Sequence, residues 1–307
     1  MAKTSSLRMT PLEWVLLIIL GGFWGATFFF NAIALPELPP LTVILVRVAI
    51  ASVILWVVVF ASGVAVPRRR DIWLALLFMG LANSALPFFL IAWGQVHIPS
   101  GLASILIASS PLYAVIAAHF MTQDEGLTRG KVAGVLTGLA GVVILIGPGF
   151  LRDIGTNLLA QLSVIGAAVL YALSAIYGRL FARRGVAPLV VATGQISMSA
   201  LLLLPFAIII DRPWTLPNPS LEAWGAVLGL AVLSTSVAYL IYFRILATAG
   251  AINILLVNFL VPVSALLLGI FILGEQLTLE QMIGMGFIVG GLLLIDGRLL
   301  SRFQVTG

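Results

Sequence analysis

The sequence predicts an all-α integral membrane protein, with ten transmembrane helices arranged as two inverted five-helix repeats and both termini cytoplasmic. Three observations lead there. Of the 307 residues, 61% are hydrophobic and 9% charged, with a mean hydropathy of +1.18, whereas about a quarter of a soluble chain is charged. Apolar stretches of roughly 20 residues, the length that crosses ~30 Å of hydrocarbon, follow one another with short breaks. An ordered set also recurs: Pro111, Glu125, Leu127, Thr128, Gly134 and Gly141 match Pro262, Glu275, Leu277, Thr278, Gly284 and Gly291, at an offset of 151 at the proline and 150 from the glutamate onward.

Each stretch reads as a helix, because a spanning segment has to satisfy its own backbone hydrogen bonds. The first, 12–35, places Trp24, Thr27 and Asn31 at i, i+3 and i+7 on one face. It is longer than a signal-peptide core and lacks a small-residue cleavage site, so no cleavable leader is expected. The second, 41–61, carries Arg47 a turn or two inside its end. The third, 72–94, has Asn83 and Ser84 at mid-depth, and the fourth, 99–120, has Ser109 and Ser110 just before Pro111. The fifth, 129–147, is spaced with glycines at Gly130, Gly134, Gly138 and Gly141. The sixth, 158–181, repeats the polar face of the first with Tyr171, Ser174 and Gly178, and the seventh, 188–210, sets Gln195 opposite Arg47. The eighth, 222–246, carries Ser234, Thr235 and Ser236, then Tyr239 and Tyr242. The ninth, 250–273, has Asn258 four residues before Pro262, and the tenth, 279–299, contains Gly284 and Gly291.

Orientation follows from lysine and arginine placement. With a cytoplasmic N-terminus, all of these residues except Arg47, Arg152 and Arg212 fall on the cytoplasmic side. Residues 1–150 then form the first repeat and 151–307 the second. Five spans per half is an odd number, so the second half enters the membrane inverted. Inverted repeats place a binding site near the midplane and permit alternating access, which points to a transporter.

The segment "LIASSPLYAVIAAHFMTQDEGLTRGKVAGVLTGLAGVVIL", its echo "LLVNFLVPVSALLLGIFILGEQLTLEQMIGMGFIVGGLLLI" and "GGFWGATFFF" in the first span resemble the EamA domains of the drug/metabolite transporter superfamily. The resemblance covers essentially the whole chain. The second copy, with Gly274-Glu275-Gln276-Leu277-Thr278, is the cleaner match, and the first has Asp124-Glu125 where Gly-Glu is usual. The likeness implies a ten-helix exporter of a bacterial inner membrane, and its nearest branch implies efflux of aromatic amino acids.

The chemistry of the chain narrows the solute. All eleven acidic residues lie in breaks or end turns, so no intramembrane carboxylate, the usual proton relay or cation site, is expected. Arg47 is the one basic residue away from the cytoplasmic ends and the outer breaks, too few for phosphate esters. A neutral or zwitterionic, partly apolar solute fits best, and the resemblance implies that it is an amino acid. No GxxxxGK[ST], HExxH or GxSxG motif occurs, so an enzyme or ATP-driven pump is not expected, and neither is a cofactor, a metal or a nucleic-acid partner. The candidate substrate-binding residues are Trp24, Thr27, Arg47, Asn83, Ser84, Ser109, Tyr171, Ser174, Ser234, Tyr239 and Asn258. Each has a packing alternative, since small and hydroxylated residues also line helix interfaces, and packing is the preferred reading of Ser174. Arg47 either ties helices together or clamps a carboxylate. Pro111 and Pro262 each remove a helical hydrogen bond and are candidate hinges, against static kinks. The glycines serve either a weak homodimer or packing within each half of a monomer. Two other functions remain open, efflux of hydrophobic drugs or cations and a non-transporting scaffold or receptor.

Overall fold

A computed structural model of the chain describes residues 9–121, 129–146, 156–254 and 256–296. The described residues are helical, without strands. Seven helices are long and apolar enough to cross a membrane. They are α1 (Pro11–Ala34), α2 (Pro40–Ala61), α3 (Arg70–Gln95), α4 (Ser100–Met121), α6 (Thr156–Arg183), α7 (Pro188–Asp211) and α8 (Leu221–Ala249). Three shorter apolar helices complete the set: α5 (Arg129–Ile146), α9 (Val257–Phe271) and α10 (Leu279–Asp296). The first-copy signature at Glu125, Leu127 and Thr128 lies outside the described residues.

Local chemistry sets the helix starts. Thr10 and Glu13 form a reciprocal capping box at α1, in which each side chain accepts a hydrogen bond from the other's backbone N–H. Prolines begin α2 and α7, where a missing N–H costs nothing. The hydroxyl of Ser220 caps α8. At the far end of α8, Gly250 takes φ 84°, a left-handed turn open to glycine without strain.

Packing is pairwise. Helix α1 lies against α9 and α8, α6 against α4 and the later part of α3, α2 against α7, and α5 against α10. The α5–α10 pair is close: a Cβ on Gly134 would stand 2.6 Å from the Gly291 carbonyl oxygen, and one on Gly141 2.6 Å from that of Gly284. The glycine stripe is therefore taken up by contact between the two sequence halves, which corrects the reading of packing within each half. Gly25 makes a similar approach of α1 to α9, where a Cβ would meet the Val261 carbonyl oxygen at 2.8 Å. Ser197 joins α7 to α2 by bonds with Ser52 (2.7 Å) and the Trp56 indole N–H (2.9 Å).

Four features depart from unbroken helices, one of them a π segment that ends α7 at Ala207–Asp211. α3 and α8 each contain a π segment, at Leu81–Ala85 and Val232–Val237, which overlie one another when the sequence is shifted by 151. The Thr235 and Ser236 hydroxyls donate to the carbonyls of Leu230 and Ala231, each five residues back (2.8 Å both), supplementing a ladder that the π segment loosens. In α4 the helix breaks at Ser109, before Pro111. There the Ser110 hydroxyl donates to the Ile107 carbonyl (2.6 Å), the acceptor that Pro111 has no N–H to reach. The expected ninth segment, 250–273, is divided into a four-residue turn, Ala251–Ile254, and α9 from Val257 onward.

Candidate functional site

The helices enclose a cavity of about 670 Å³. Its wall takes side chains from eight helices: Trp24, Thr27, Phe28 and Asn31 of α1; Arg47 of α2; Asn83 and Phe88 of α3; Ser110 of α4; Tyr171 and Ser174 of α6; Gln195 of α7; Ser234, Tyr239 and Tyr242 of α8; and Asn258 of α9. Of the expected binding residues, Trp24, Thr27, Arg47, Asn83, Tyr171, Ser174, Ser234, Tyr239 and Asn258 are thus brought to one space. Ser84 and Ser109 are not. Both are fully buried, and Ser109 donates its hydroxyl to the Leu106 carbonyl (2.5 Å) inside its own helix. One residue along a helix is a rotation of about 100°, which turns Ser84 and Ser109 off the faces of their neighbours Asn83 and Ser110.

Arg47 is the electrostatic centre of this wall. It is 5% exposed, its Nε donates to the Thr235 hydroxyl (2.9 Å), and its guanidinium lies 4.0 Å from the Phe88 ring centroid. The first contact ties α2 to α8 and the second is a cation–π arrangement. Tyr171 and Tyr239 are near enough to interact with its charge. No ion pair joins it to a carboxylate among the described residues. Tie and cavity-facing cation are thus the same residue.

A second polar chain crosses the cavity. The Asn83 amide donates to Gln195 (3.2 Å), and the Gln195 amide donates to the Tyr239 hydroxyl (3.0 Å), linking α3, α7 and α8. Asn31 donates to Gln95 (2.8 Å), which donates to the Phe28 carbonyl (2.9 Å). Ser234 lines the cavity and also holds α8 to α1 through the Phe23 carbonyl (2.7 Å). Ser174 has a buried hydroxyl without a hydrogen-bond partner among the described residues. Trp24 and Tyr242 pack with ring centroids 5.6 Å apart. Sequence reasoning left out Gln195, Tyr242 and Phe88. Gln195 was visible only as the repeat mate of Arg47, and Tyr242, three residues after Tyr239, shares its helical face.

The cavity is open toward one end. Arg179, Ala182 and Pro188 line it where α6 gives way to α7, the end assigned to the cytoplasm by charge. The connections at the other end, 35–39, 96–99 and 212–220, contribute nothing to its lining. At that end three carboxylates each cap the start of a helix from the other half. Glu37 takes the Ser220 N–H and hydroxyl (2.6 Å both), Asp211 the Thr42 N–H and hydroxyl (2.8 and 2.9 Å), and Glu275 the N–H groups of Ser100 and Gly101 (2.8 and 2.9 Å). Carboxylates at helix N-termini are favoured by unpaired N–H groups and the helix dipole. Glu275 is the acid of the second-copy signature, aimed at α4 by the turn at Gly274, whose φ is 70°.

A helical, multi-pass membrane architecture around a polar-and-aromatic cavity is that of a membrane transporter. The chain belongs to the EamA-like transporter family, whose model matches residues 12–147 and again 158–296. Relatives include the uncharacterized inner membrane transporter YedA of Escherichia coli strain K12, 28% identical over 89% of this chain and 86% of that protein. The uncharacterized transporter YoaV of Bacillus subtilis is 23% identical over 92% and 94%, and protein PecM of Dickeya dadantii 27% over 91% of each. A solved crystal structure superposes with a TM-score of 0.67 over 95% of this chain and 98% of the other. At 22% identity, that likeness is one of fold. Family and relatives point to a transporter and not to an enzyme.

Proposed function

We propose that the protein is a secondary transporter that exports aromatic and other apolar amino acids, or related metabolites, across a bacterial inner membrane by alternating access. The observation that carries this reading is the cavity itself. Its volume lies within the usual range for small-molecule sites, about 300–1,000 Å³, and its wall combines aromatic rings with amides and hydroxyls from both sequence halves. Such a wall stacks an aromatic side chain and bonds its polar end.

In this reading the ten helices are two inverted five-helix repeats, residues 1–150 and 151–307, with the N- and C-termini cytoplasmic. Several observations support the symmetry. The family model matches twice. Contacts come in exchangeable pairs, since α1 on α9 corresponds to α6 on α4, and α1 on α8 to α6 on α3. Gly134 faces Gly291 as Gly141 faces Gly284, and the π segments of α3 and α8 fall at matched positions, while that of α7 has no counterpart in α2. The solute class is the one that the nearest branch of the sequence resemblance implies, and the printed name of YedA supports the inner membrane. Trp24, Thr27, Arg47, Asn83, Tyr171, Ser174, Ser234, Tyr239 and Asn258 are the proposed contacts, and Pro111 and Pro262 the proposed hinges.

Efflux of hydrophobic cations is the competing reading, favoured by the aromatic walls and opposed by the lack of any acidic side chain in the described lining. Flux of radiolabelled phenylalanine or tryptophan into proteoliposomes, with and without an imposed pH gradient and with a hydrophobic cation in parallel, separates the two. Amino-acid flux indifferent to the gradient is expected. Cation flux alone, dependent on the gradient, would replace this reading with the other.

A further inference from the structure

The charge balance of the cavity says more about its solute than its shape does. The charged side chains of the described lining are Arg47 and Arg179, and none is acidic. The carboxylates at the closed end, Glu37, Asp211 and Glu275, are committed to helix N-termini, and Asp71 to Arg69 and Arg184. Arg47 is therefore a buried cation without a counter-ion among the described residues. Its Nε is taken by Thr235 and its face by the Phe88 ring, while its two Nη nitrogens, with four N–H donors, make no hydrogen bond among the described residues.

A buried charge is tolerated when it is paired and hydrogen-bonded, and the planar guanidinium matches a carboxylate in two parallel bonds. A solute carboxylate entering this cavity supplies what the protein does not. A solute ammonium meets the opposite situation: it leaves water, finds no carboxylate, and approaches a like charge. The rings of Trp24, Tyr171, Tyr239 and Tyr242 offer it cation–π contact, which at partly wet sites is weaker than a bidentate charged pair.

We propose that the cavity selects aromatic and apolar carboxylate anions, clamped at Arg47, and that an α-ammonium group on the same skeleton weakens binding. The proposal rests on the transport reading above and sharpens its solute class. An amino acid is then a tolerated ligand held by its carboxylate, and its deaminated analogue a better one.

Three compounds that share one phenyl-ethyl skeleton test this: 3-phenylpropanoate carries the carboxylate, phenylalanine both groups, and phenethylamine the ammonium. Binding of each to the purified full chain in lipid nanodiscs at pH 7, read by calorimetry, is expected to rank them in that order. 3-Phenylpropanoate should bind about tenfold or more tighter than phenylalanine, the loss expected when one group goes unpaired in a buried site. Phenylalanine binding as tightly as or tighter than 3-phenylpropanoate would overturn the proposal while leaving amino-acid export standing. Phenethylamine binding tightest would overturn both in favour of cation efflux. Absence of binding by all three would remove the aromatic-solute reading and the proposal with it. In the Arg47→Gln variant the preference for carboxylate should vanish, and a preference retained there would also contradict the clamp. Should that variant not fold, the wild-type ranking decides.

Discussion

At the scale of the residue, Arg47 does two jobs with different donors. Nε holds α2 to α8 through Thr235, and the remaining nitrogens are left for the cavity. Removing the first job while keeping the second is possible with Thr235→Val. A hydrogen bond to a charged group contributes about 1.5–3 kcal/mol, so that variant should lose about that much stability in a detergent denaturation series and still prefer solutes with a carboxylate. Glu37 supplies a pH-dependent contact outside the spans. The Ser220 hydroxyl, then its backbone N–H, hold the Glu37 carboxyl below its usual value. Because the folded pKa is depressed, the contact stabilises above the unfolded value of about 4.3 and is lost as pH falls through the lower folded value. Glu37→Gln should therefore melt below wild type at pH 7, and the two melting curves should converge on acidification toward and below pH 4. Much of the wall was legible because helical spacing put Trp24, Thr27 and Asn31 on one face. The places of Ser84 and Ser109 were not, because choosing between adjacent residues needs the helix rotation, which a nearly uniform apolar background leaves unspecified. Arg47 presented two readings in sequence, tie or clamp, since burial and the identity of a partner 188 positions away are tertiary facts.

At the scale of the element, the π segments of α3 and α8 each bring a polar side chain, Asn83 and Ser234, to the cavity wall. Pro111 was read from sequence as a mid-helix disruption. The structure adds that the break falls at Ser109 and that Ser110 answers the Ile107 carbonyl, so the segment is a relieved break and not a strained kink. Pro262 by contrast sits within a continuous α9. If both act as hinges, Pro111→Ala and Pro262→Ala should slow solute flux severalfold with little change in equilibrium binding, and unchanged flux would make them static features. The π segments of α3 and α8 had no local sequence signal beyond polar residues at matched positions, and that of α7 had none, since a single inserted residue per turn leaves composition unaltered. Where α5 meets α10, Gly141→Val would overpack a contact already at carbonyl distance. A cost of about 1–3 kcal/mol is expected, measured as a lower denaturation midpoint in detergent.

At the scale of the whole molecule, the halves read from the repeat are interlocked, each lending helices to the other, so neither buries its apolar faces alone. The cavity lies among them, reached from the end that charge assigns to the cytoplasm. The three carboxylate caps at the opposite end all run between halves, which makes them contacts that have to break if that end is to open. Asp211→Asn and Glu275→Gln should each raise access from the outer side. Composition made the helical membrane architecture legible from sequence, whereas the direction the cavity faces was not, because it depends on which of two similar packings is occupied. The measurement closest to the central claim, that one cavity is reached alternately from two sides, uses the fact that the chain has no cysteine. Ala175, an exposed residue in the cavity wall, is replaced by cysteine and challenged with a membrane-impermeant thiol reagent from either face of oriented proteoliposomes. The account predicts labelling from the inner face alone without solute, and labelling from the outer face once solute is being turned over. Labelling from both faces at rest, or an outer face that stays silent during transport, would contradict it.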